Sequence, residues 1–555
     1  MVAGAVSSLA PAAGVAARPA SAVAGAAGAV ARESSPIARA ASVPVARPAP
    51  LARAAAALLA CACGSKARHA PPVFPGLTIA SSASPLDPAC AQTGSAPGSA
   101  VEPQVAIDPL DPRHLIGVWQ QDRYANGGAN GLATGLSFDG GATWTRTAAR
   151  FSLCSGGSYE RASDPWVTFA PDGTAHQIGF AFNKSNAGQA MLASRSLDGG
   201  RTWTAPIALQ AETDPDFALD KETITADAHG VYAVWDRLTG QTNPTSPSNT
   251  GPTWFSRSLD NGATWAPARA IYDPGLDAQT IGNQIVVLPD GTLVNVLSVI
   301  TSNSSQSPQT AIAVLRSTDH GATWGAPVQV AQALFAGVFD LKSMKAVRSG
   351  DVVPAIAVDA ASGALYALWE DARFSRGARD GIAISRSDDG GLHWSAPAQV
   401  NGAGGAQAFT PAVSVSRSGK LGVTYYDLRN DDPGDRDHLL ATAWLATSSD
   451  GGRTFVEEAL AAPFDLRTAP FALGYFVGDY QGLVHAGEAF LPFFTMTNAG
   501  DGGRAEVFFR PAPAAAPAFA PAPLAGGASV AGLPESSGES FDARGALRSV
   551  ARTAY

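Results

Sequence analysis

The sequence predicts an all-β protein, a β-propeller of four-stranded blades, and three observations carry that expectation. A Ser-x-Asp-x-Gly-x-Thr-Trp pattern recurs six times. Its Asp residues, 139, 198, 260, 319, 389 and 450, lie 59, 62, 59, 70 and 61 residues apart, a near-constant period with loops of varying length. Around each copy the same order of short apolar segments and Gly/Pro turns returns, in a 555-residue chain with 58 Gly, 40 Pro and only 15% charged residues. Thirty-eight basic against 47 acidic side chains give a net charge of −9, which argues against nucleic acid as a partner. No uninterrupted apolar run reaches the roughly 18–20 residues of a membrane span. Four cysteines exclude a disulfide-dense scaffold.

Residues 1–70 read as a low-complexity leader. Up to residue 53 they are mainly Ala, Pro, Val and Ser, with Arg18, Arg32, Arg39, Arg47 and Arg53 against one acid, Glu33. Arg47 and Arg53 then precede Ala54-Ala-Ala-Ala-Leu-Leu-Ala60-Cys61, the basic, apolar and small-residue order of a secretory signal. Leu58-Leu59-Ala60-Cys61 resembles the bacterial lipobox, which implies lipidation of Cys61 and an exported protein, either a cell-envelope lipoprotein or secreted. The signal starts late, as an upstream misassigned start codon would produce; an organelle transit peptide is the alternative for the Arg-rich stretch. Residues 71–100 form a linker and closing strand, 101–510 the repeat region, and 511–555 a Pro/Ala-rich disordered tail.

Within each repeat the pattern is that of a hairpin. Its Asp can accept N–H bonds across the turn, Gly supplies a positive φ, and the Trp leaves the turn to pack between sheets. The copies run from Ser137 to Trp144, Ser196 to Trp203, Ser258 to Trp265 and Ser317 to Trp324; Ser387–Trp394 has His393 for Thr, and Ser448–Phe455 has Phe for Trp. A strand such as Gln104–Asp108 comes first, then a turn and Leu115–Trp119, a third strand ending in the box, and a fourth after it. Four antiparallel strands per period make one blade.

Six such boxes identify a resemblance to the Asp-box (bacterial neuraminidase repeat) proteins of the sialidase superfamily, over roughly residues 100–510. That resemblance implies a six-bladed propeller. Further strand-like segments, 481–485, 489–497 and 505–510, follow the sixth unit, so a seventh, box-less blade closed by a strand near 74–82 is expected; six blades with an added hairpin is the alternative. In an exported protein Cys90 and Cys154 form a natural disulfide between the closing segment and the first blade, the alternative being two free thiols.

Strand alternation places the boxes, and so Asp139, Asp198, Asp260, Asp319, Asp389 and Asp450, on one rim as structural elements. The other rim collects the ends of second strands: Asp122-Arg123, Asp236-Arg237, Glu370-Asp371-Ala-Arg373 and Asp427-Leu-Arg429. It also collects first-strand starts with Glu102, Arg161, Asp164, Lys221, Glu222, Asp479 and Tyr480. Either each acid locks its own arginine, or the rim forms a funnel of forked donors for an anionic or polyhydroxylated glycan. The sialidase resemblance implies three substrate-clamping arginines, a Tyr nucleophile assisted by a Glu, and an Asp acid/base. Tyr480, with Glu222, resembles the nucleophile pair, and Asp122 the acid/base. The arginine that should open the first blade is absent, since Glu102-Pro103-Gln104 stands there; Arg123, Arg373 and Arg429, at second-strand ends, are candidates for a substitute clamp that the resemblance itself does not imply. Substrate contacts are accordingly expected from Arg123, Arg161, Asp164, Arg237, Arg373, Arg429 and Asp479.

The favoured expectation is an exported, monomeric propeller that binds a glycan or glycoprotein ligand through this rim and meets a membrane only through a lipid anchor. An exo-sialidase-type glycoside hydrolase is the alternative. No cofactor is expected. The oxygen-rich loops Asn430–Asp437 and Asp214–Asp220 could take Ca²⁺ but read as solvated loops. The eight histidines form no HExxH or closely spaced ligand set, which disfavours a zinc enzyme.

Overall fold

In the computed structural model, the described residues are 76–512 apart from 83, 91–93, 243–249, 302–308, 403–404 and 503. The leader with Cys61 and the tail beyond 512 lie outside them. The described residues are all-β, with short 3₁₀ turns and antiparallel pairing nearly throughout. None of their helices is long and apolar enough to cross a membrane.

Four-stranded units follow one another along the chain. The first contains Ala100–Ile107, Leu115–Arg123, Ala129–Ser137 and Thr145–Thr147, and the second Arg161–Phe169, Ala175–Phe182, Gln189–Ser196 and Ile207–Glu212. Units three to six begin with the strands Ala218–Ala226, Ala278–Val287, Ala355–Val358 and Ala408–Val415. The seventh consists of Gly482–Ala486, Ala489–Asn498 and Arg504–Phe509, and Thr78–Ile79 pairs on its outer edge as Thr78 with Phe509 and Ile79 with Phe508. The first strand of each unit packs on the first strand of the next, and Gly482–Ala486 returns to Ala100–Ile107. A small additional sheet joins Val338–Asp340 and Lys345–Arg348, between units four and five, to Tyr475–Phe476, between units six and seven.

Each box folds the same way. In the third copy Thr264 N–H and Oγ donate to Asp260, Ser258 Oγ donates to Asp260, and Gly262 N–H donates to Ser258 Oγ. These bonds hold the Asp260 carboxyl down at about 2, the Thr264 hydroxyl contributing most. In the fifth copy His393 takes the place of Thr, its N–H and Nδ1 both meeting Asp389. The box aromatic packs on the preceding unit: Trp144 lies 5.6 Å from Phe493 and 5.2 Å from Phe509, and Trp324 lies 5.4 Å from Phe255. Gly141 needs both its positive φ of 88° and its missing side chain, because a Cβ there would sit 1.8 Å from the Phe509 ring. Trp119, Trp235 and Trp369 of the second strands are fully buried. Each buries roughly 150–250 Å², a gross contribution of roughly 4–6 kcal/mol. Cys90 and Cys154 are joined by a disulfide, with Cα atoms 5.3 Å apart.

Candidate functional site

A bulge recurs at the start of the innermost strands, and it is what builds the centre. Pairing slips between Val101 and Gln104, Ser163 and Trp166, Asp220 and Thr223, Ile281 and Gln284, and Phe409 and Ala412. One residue inside each slip takes a left-handed conformation: Glu102, Asp164, Lys221, Gly282 and Thr410, with φ between 45° and 74°. Four of those five residues carry a β-carbon, a strain that bulges concentrate beside functional or tightly determined sites.

Three of these bulge residues meet. Lys221 Nζ lies 3.2 Å from Glu102 Oε1, 2.5 Å from Asp164 Oδ1 and 2.7 Å from Asp479 Oδ2. Arg348, delivered by the small additional sheet, donates from Nε to Asp479 Oδ1 at 2.9 Å and from its second nitrogen to Oδ2. Burial works against the Asp479 charge, yet Arg348 and Lys221 hold its carboxyl far below the usual range. The same burial would lower Lys221, but Asp164, Asp479 and Glu102 push it well above its ordinary value. Glu102 is pushed up to about 8, first by burial and then by Asp164, and Asp220 to about 6 for the same two reasons. Carboxylate oxygens of Glu102, Asp164 and Asp479 lie within 4.8 Å of one another, close enough for a cation, and the Lys221 ammonium already fills that role.

Beside this cluster lies a cavity of about 80 Å³, lined in part by Trp166, Glu222, Asn283, Tyr480 and Gln481. It is small beside the roughly 300–1,000 Å³ of sites that enclose an organic ligand. Tyr480 is buried, its hydroxyl donating to the Pro165 carbonyl at 3.0 Å and its ring 5.3 Å from Trp166. Burial, reinforced by Glu102, Asp164, Glu222 and Asp479, raises the phenol well above its ordinary value. Such a phenol resists becoming the phenolate a nucleophile needs. Glu222 is also buried, neither carboxyl oxygen has a hydrogen-bond partner among the described residues, and burial followed by Asp164 raises it strongly.

The other expected site residues are dispersed. Asp122 accepts from Gly98 N–H at 2.7 Å and from Gln121 and Asn130, and so braces the approach to the first unit. Arg123 is buried, donating to Gln120 Oε1 at 3.0 Å with its guanidinium 5.0 Å from the Phe476 ring centre. Arg161 donates to Asn126 Oδ1 and the Gly127 carbonyl and lies 3.6 Å from the Tyr124 ring centre. Arg373 forks onto Asp371 with two 2.8 Å bonds. Arg429 grips Asp427 and both oxygens of Glu457, over Trp444 at 3.9 Å. Arg237 pairs with Glu212 at 2.6 Å rather than with its sequence neighbour, and lies 3.7 Å from the Phe217 ring centre. Asp236 is held instead by Thr280, Asn283 and Gly282. Among the described residues Arg123, Arg373 and Arg429 share no hydrogen-bond partner, and Arg373 and Arg429 are each engaged by acids of their own unit.

In the oxygen-rich loop 430–437 two carboxylates are engaged by protein groups: Asp431 receives Lys342 Nζ and Leu440 N–H, and Asp435 receives Asp437 N–H and meets His438 Nδ1. Asp214 and Asp216 likewise accept backbone N–H bonds, from Asp216 and from Gly240 and Thr242.

No family model and no curated protein matches the chain. Among solved structures it is similar to a Hadza microbial sialidase at 16% identity and a TM-score of 0.39, over 75% of this chain and 66% of that one, so it spans just under two thirds of that sialidase. It is similar to the Penicillium chrysogenum α-L-arabinanase at 12% identity and TM-score 0.41, over 79% and 99%. For the GH93 α-L-arabinofuranosidase of Fusarium graminearum the values are 13% and 0.42, over 71% and 99%. At these TM-scores the likenesses decide nothing about the site.

Proposed function

We propose that this chain is an exported, seven-bladed, sialidase-like propeller that binds a glycan, free or on a glycoprotein, through the rim of its second-strand ends, without hydrolysing it. One observation carries the reading. The guanidinium carbons of Arg237 and Arg429 lie 3.7 and 3.9 Å from aromatic ring centres, Arg237 paired with Glu212 and Arg429 with Asp427 and Glu457, and each side chain is 18% exposed. A guanidinium fixed in this way has already lost its rotamer freedom, and Arg237 commits only its Nε–H to Glu212 among the described residues, so binding a sugar hydroxyl or carboxylate there costs less ordering. The seventh blade rests on the box-less unit completed by Thr78–Ile79.

A second reading, hydrolysis of the sialidase type, is favoured by Tyr480 and Glu222 lining one cavity. The raised phenol, its bond to the Pro165 carbonyl and the dispersed arginines weigh against it. The test is a glycan array probed with the folded chain, followed by titration of any hit. Arg237→Ala or Arg429→Ala should weaken the parental interaction at least tenfold, about 1.4 kcal/mol. Absence of any glycan ligand, or parental affinity in both variants, would refute rim binding.

A further inference from the structure

On the box-bearing rim, away from the cluster and cavity described above, three metal-ligating side chains from two neighbouring units converge. Asp227 and His229 sit in the turn between Ala218–Ala226 and Val231–Leu238, and His320 sits in the fourth box. Their ligand atoms all lie within 4.8 Å of one another. His229 Nδ1 is 3.7 Å from Asp227 Oδ2, and the two imidazoles stack with centroids 4.0 Å apart. We propose that Asp227, His229 and His320 form a binding site for a divalent transition-metal ion of the Zn²⁺ class.

Two further observations point to a ligand there. Asp227 Oδ2 and His320 Nδ1 are shielded from solvent and have no hydrogen-bond partner among the described residues, whereas Asp227 Oδ1 is fully used by His229 N–H, Gly230 N–H and Tyr232 Oη. An unpartnered carboxylate oxygen and an unpartnered ring nitrogen, on residues grouped with a third ligand, offer lone pairs that a metal would satisfy. The second observation is conformational. His320 holds φ 54°, at the box position where four copies carry Gly140, Gly199, Gly390 and Gly451 and one carries Asn261. A histidine is strained where glycine is not, and retained strain marks positions that do something beyond folding.

Two imidazoles and a carboxylate are an N/O set suited to Zn²⁺, Cu²⁺ or Ni²⁺ rather than to Ca²⁺ or Mg²⁺. Tetrahedral bonds of about 2.0–2.1 Å require ligand atoms roughly 3.3 Å apart, so a small turn of the His229 ring, whose side chain is 58% exposed, completes the set. Three protein ligands leave one position for water.

The test is calorimetric titration of the full chain, stripped by chelator, with Zn²⁺. One site sensitive to these residues is expected. His320→Gly restores the residue most boxes use, so the variant should fold with a Tm no lower than the parent while losing at least fiftyfold in Zn²⁺ affinity. Asp227→Asn should lose at least tenfold. Co²⁺ bound at this site should show no thiolate charge-transfer band, which separates it from binding at Cys61 and Cys63. Failure of the parent to bind Zn²⁺, parental affinity in folded His320→Gly, or a thiolate band in the His320-dependent species would overturn the proposal.

Discussion

Replacing Lys221 by methionine keeps an unbranched side chain, one heavy atom shorter, and removes the ammonium around which the centre is organised. Glu102, Asp164 and Asp479 are 1%, 7% and 4% exposed, so none can recover its lost partner from water. Arg348 still neutralises Asp479 and Glu102, pushed up to about 8, holds its proton at neutral pH, which leaves the Asp164 carboxylate uncompensated. Removing one partner from a buried ionic group costs about 3–5 kcal/mol. With an unfolding entropy of about 2.1 cal/mol/K per residue, residues 76–512 amount to roughly 0.9 kcal/mol/K, so Tm should fall by roughly 3–6 °C. The pH dependence has a definite sign. Lys221 has a raised folded pKa, so its contribution is intact below its unfolded value near 10.4 and is lost only as pH rises through the folded one. Asp479 has a depressed folded pKa, so its contribution persists above about 3.9 and is lost as pH falls through the folded value. In Lys221→Met, Glu102, already raised, loses a cation that lowers it and holds its proton more firmly in the folded state, so the deficit should shrink from pH 8 to pH 5.5. Thermal unfolding followed by circular dichroism at both pH values measures this. A Tm within 1 °C of the parent, or a deficit that grows on acidification, would show that Lys221 does not hold these carboxylates together.

Other consequences are simpler to read. Converting Cys90 and Cys154 to serine opens a loop with a sequence separation of 64, for which chain entropy gives about 4 kcal/mol; the parent should lose a corresponding few degrees of Tm in reductant, and the double variant should be insensitive to reductant. Asp260→Ala removes the acceptor for the Thr264 N–H and hydroxyl and should lower Tm without altering glycan or Zn²⁺ binding, as differential scanning fluorimetry and titration of the same preparation would show.

How much of this could be read in the sequence follows from the range of each interaction. The box is local: Ser258, Asp260, Gly262 and Thr264 bond within five residues, so the pattern carries its own geometry. Counting strand directions from it places Glu102, Lys221 and Asp479 at first-strand starts. That they converge on one ammonium is invisible, because Lys221 and Asp479 are 258 residues apart and meet only through repeated bulges. Acid–arginine adjacency identifies the Arg373 and Arg429 pairs but misassigns Arg237, whose partner Glu212 lies on the outermost strand of the preceding unit. Arg348 arrives on an insertion outside the four-strand rhythm, which no periodicity marks. His229 and His320 look unrelated in sequence because their neighbourhood is made by adjacent units. The one local sign of that site is a histidine where the other boxes carry glycine or asparagine.

Under the proposed rim binding, Tyr480 belongs to a buried ionic support and carries no chemistry. Hydrolysis of a fluorogenic sialoside by the full chain, measured from pH 4 to 9 beside Tyr480→Phe, decides between that proposal and the hydrolytic reading. No release above background in either protein is predicted. Turnover by the parent that disappears in a folded Tyr480→Phe variant would contradict the proposal.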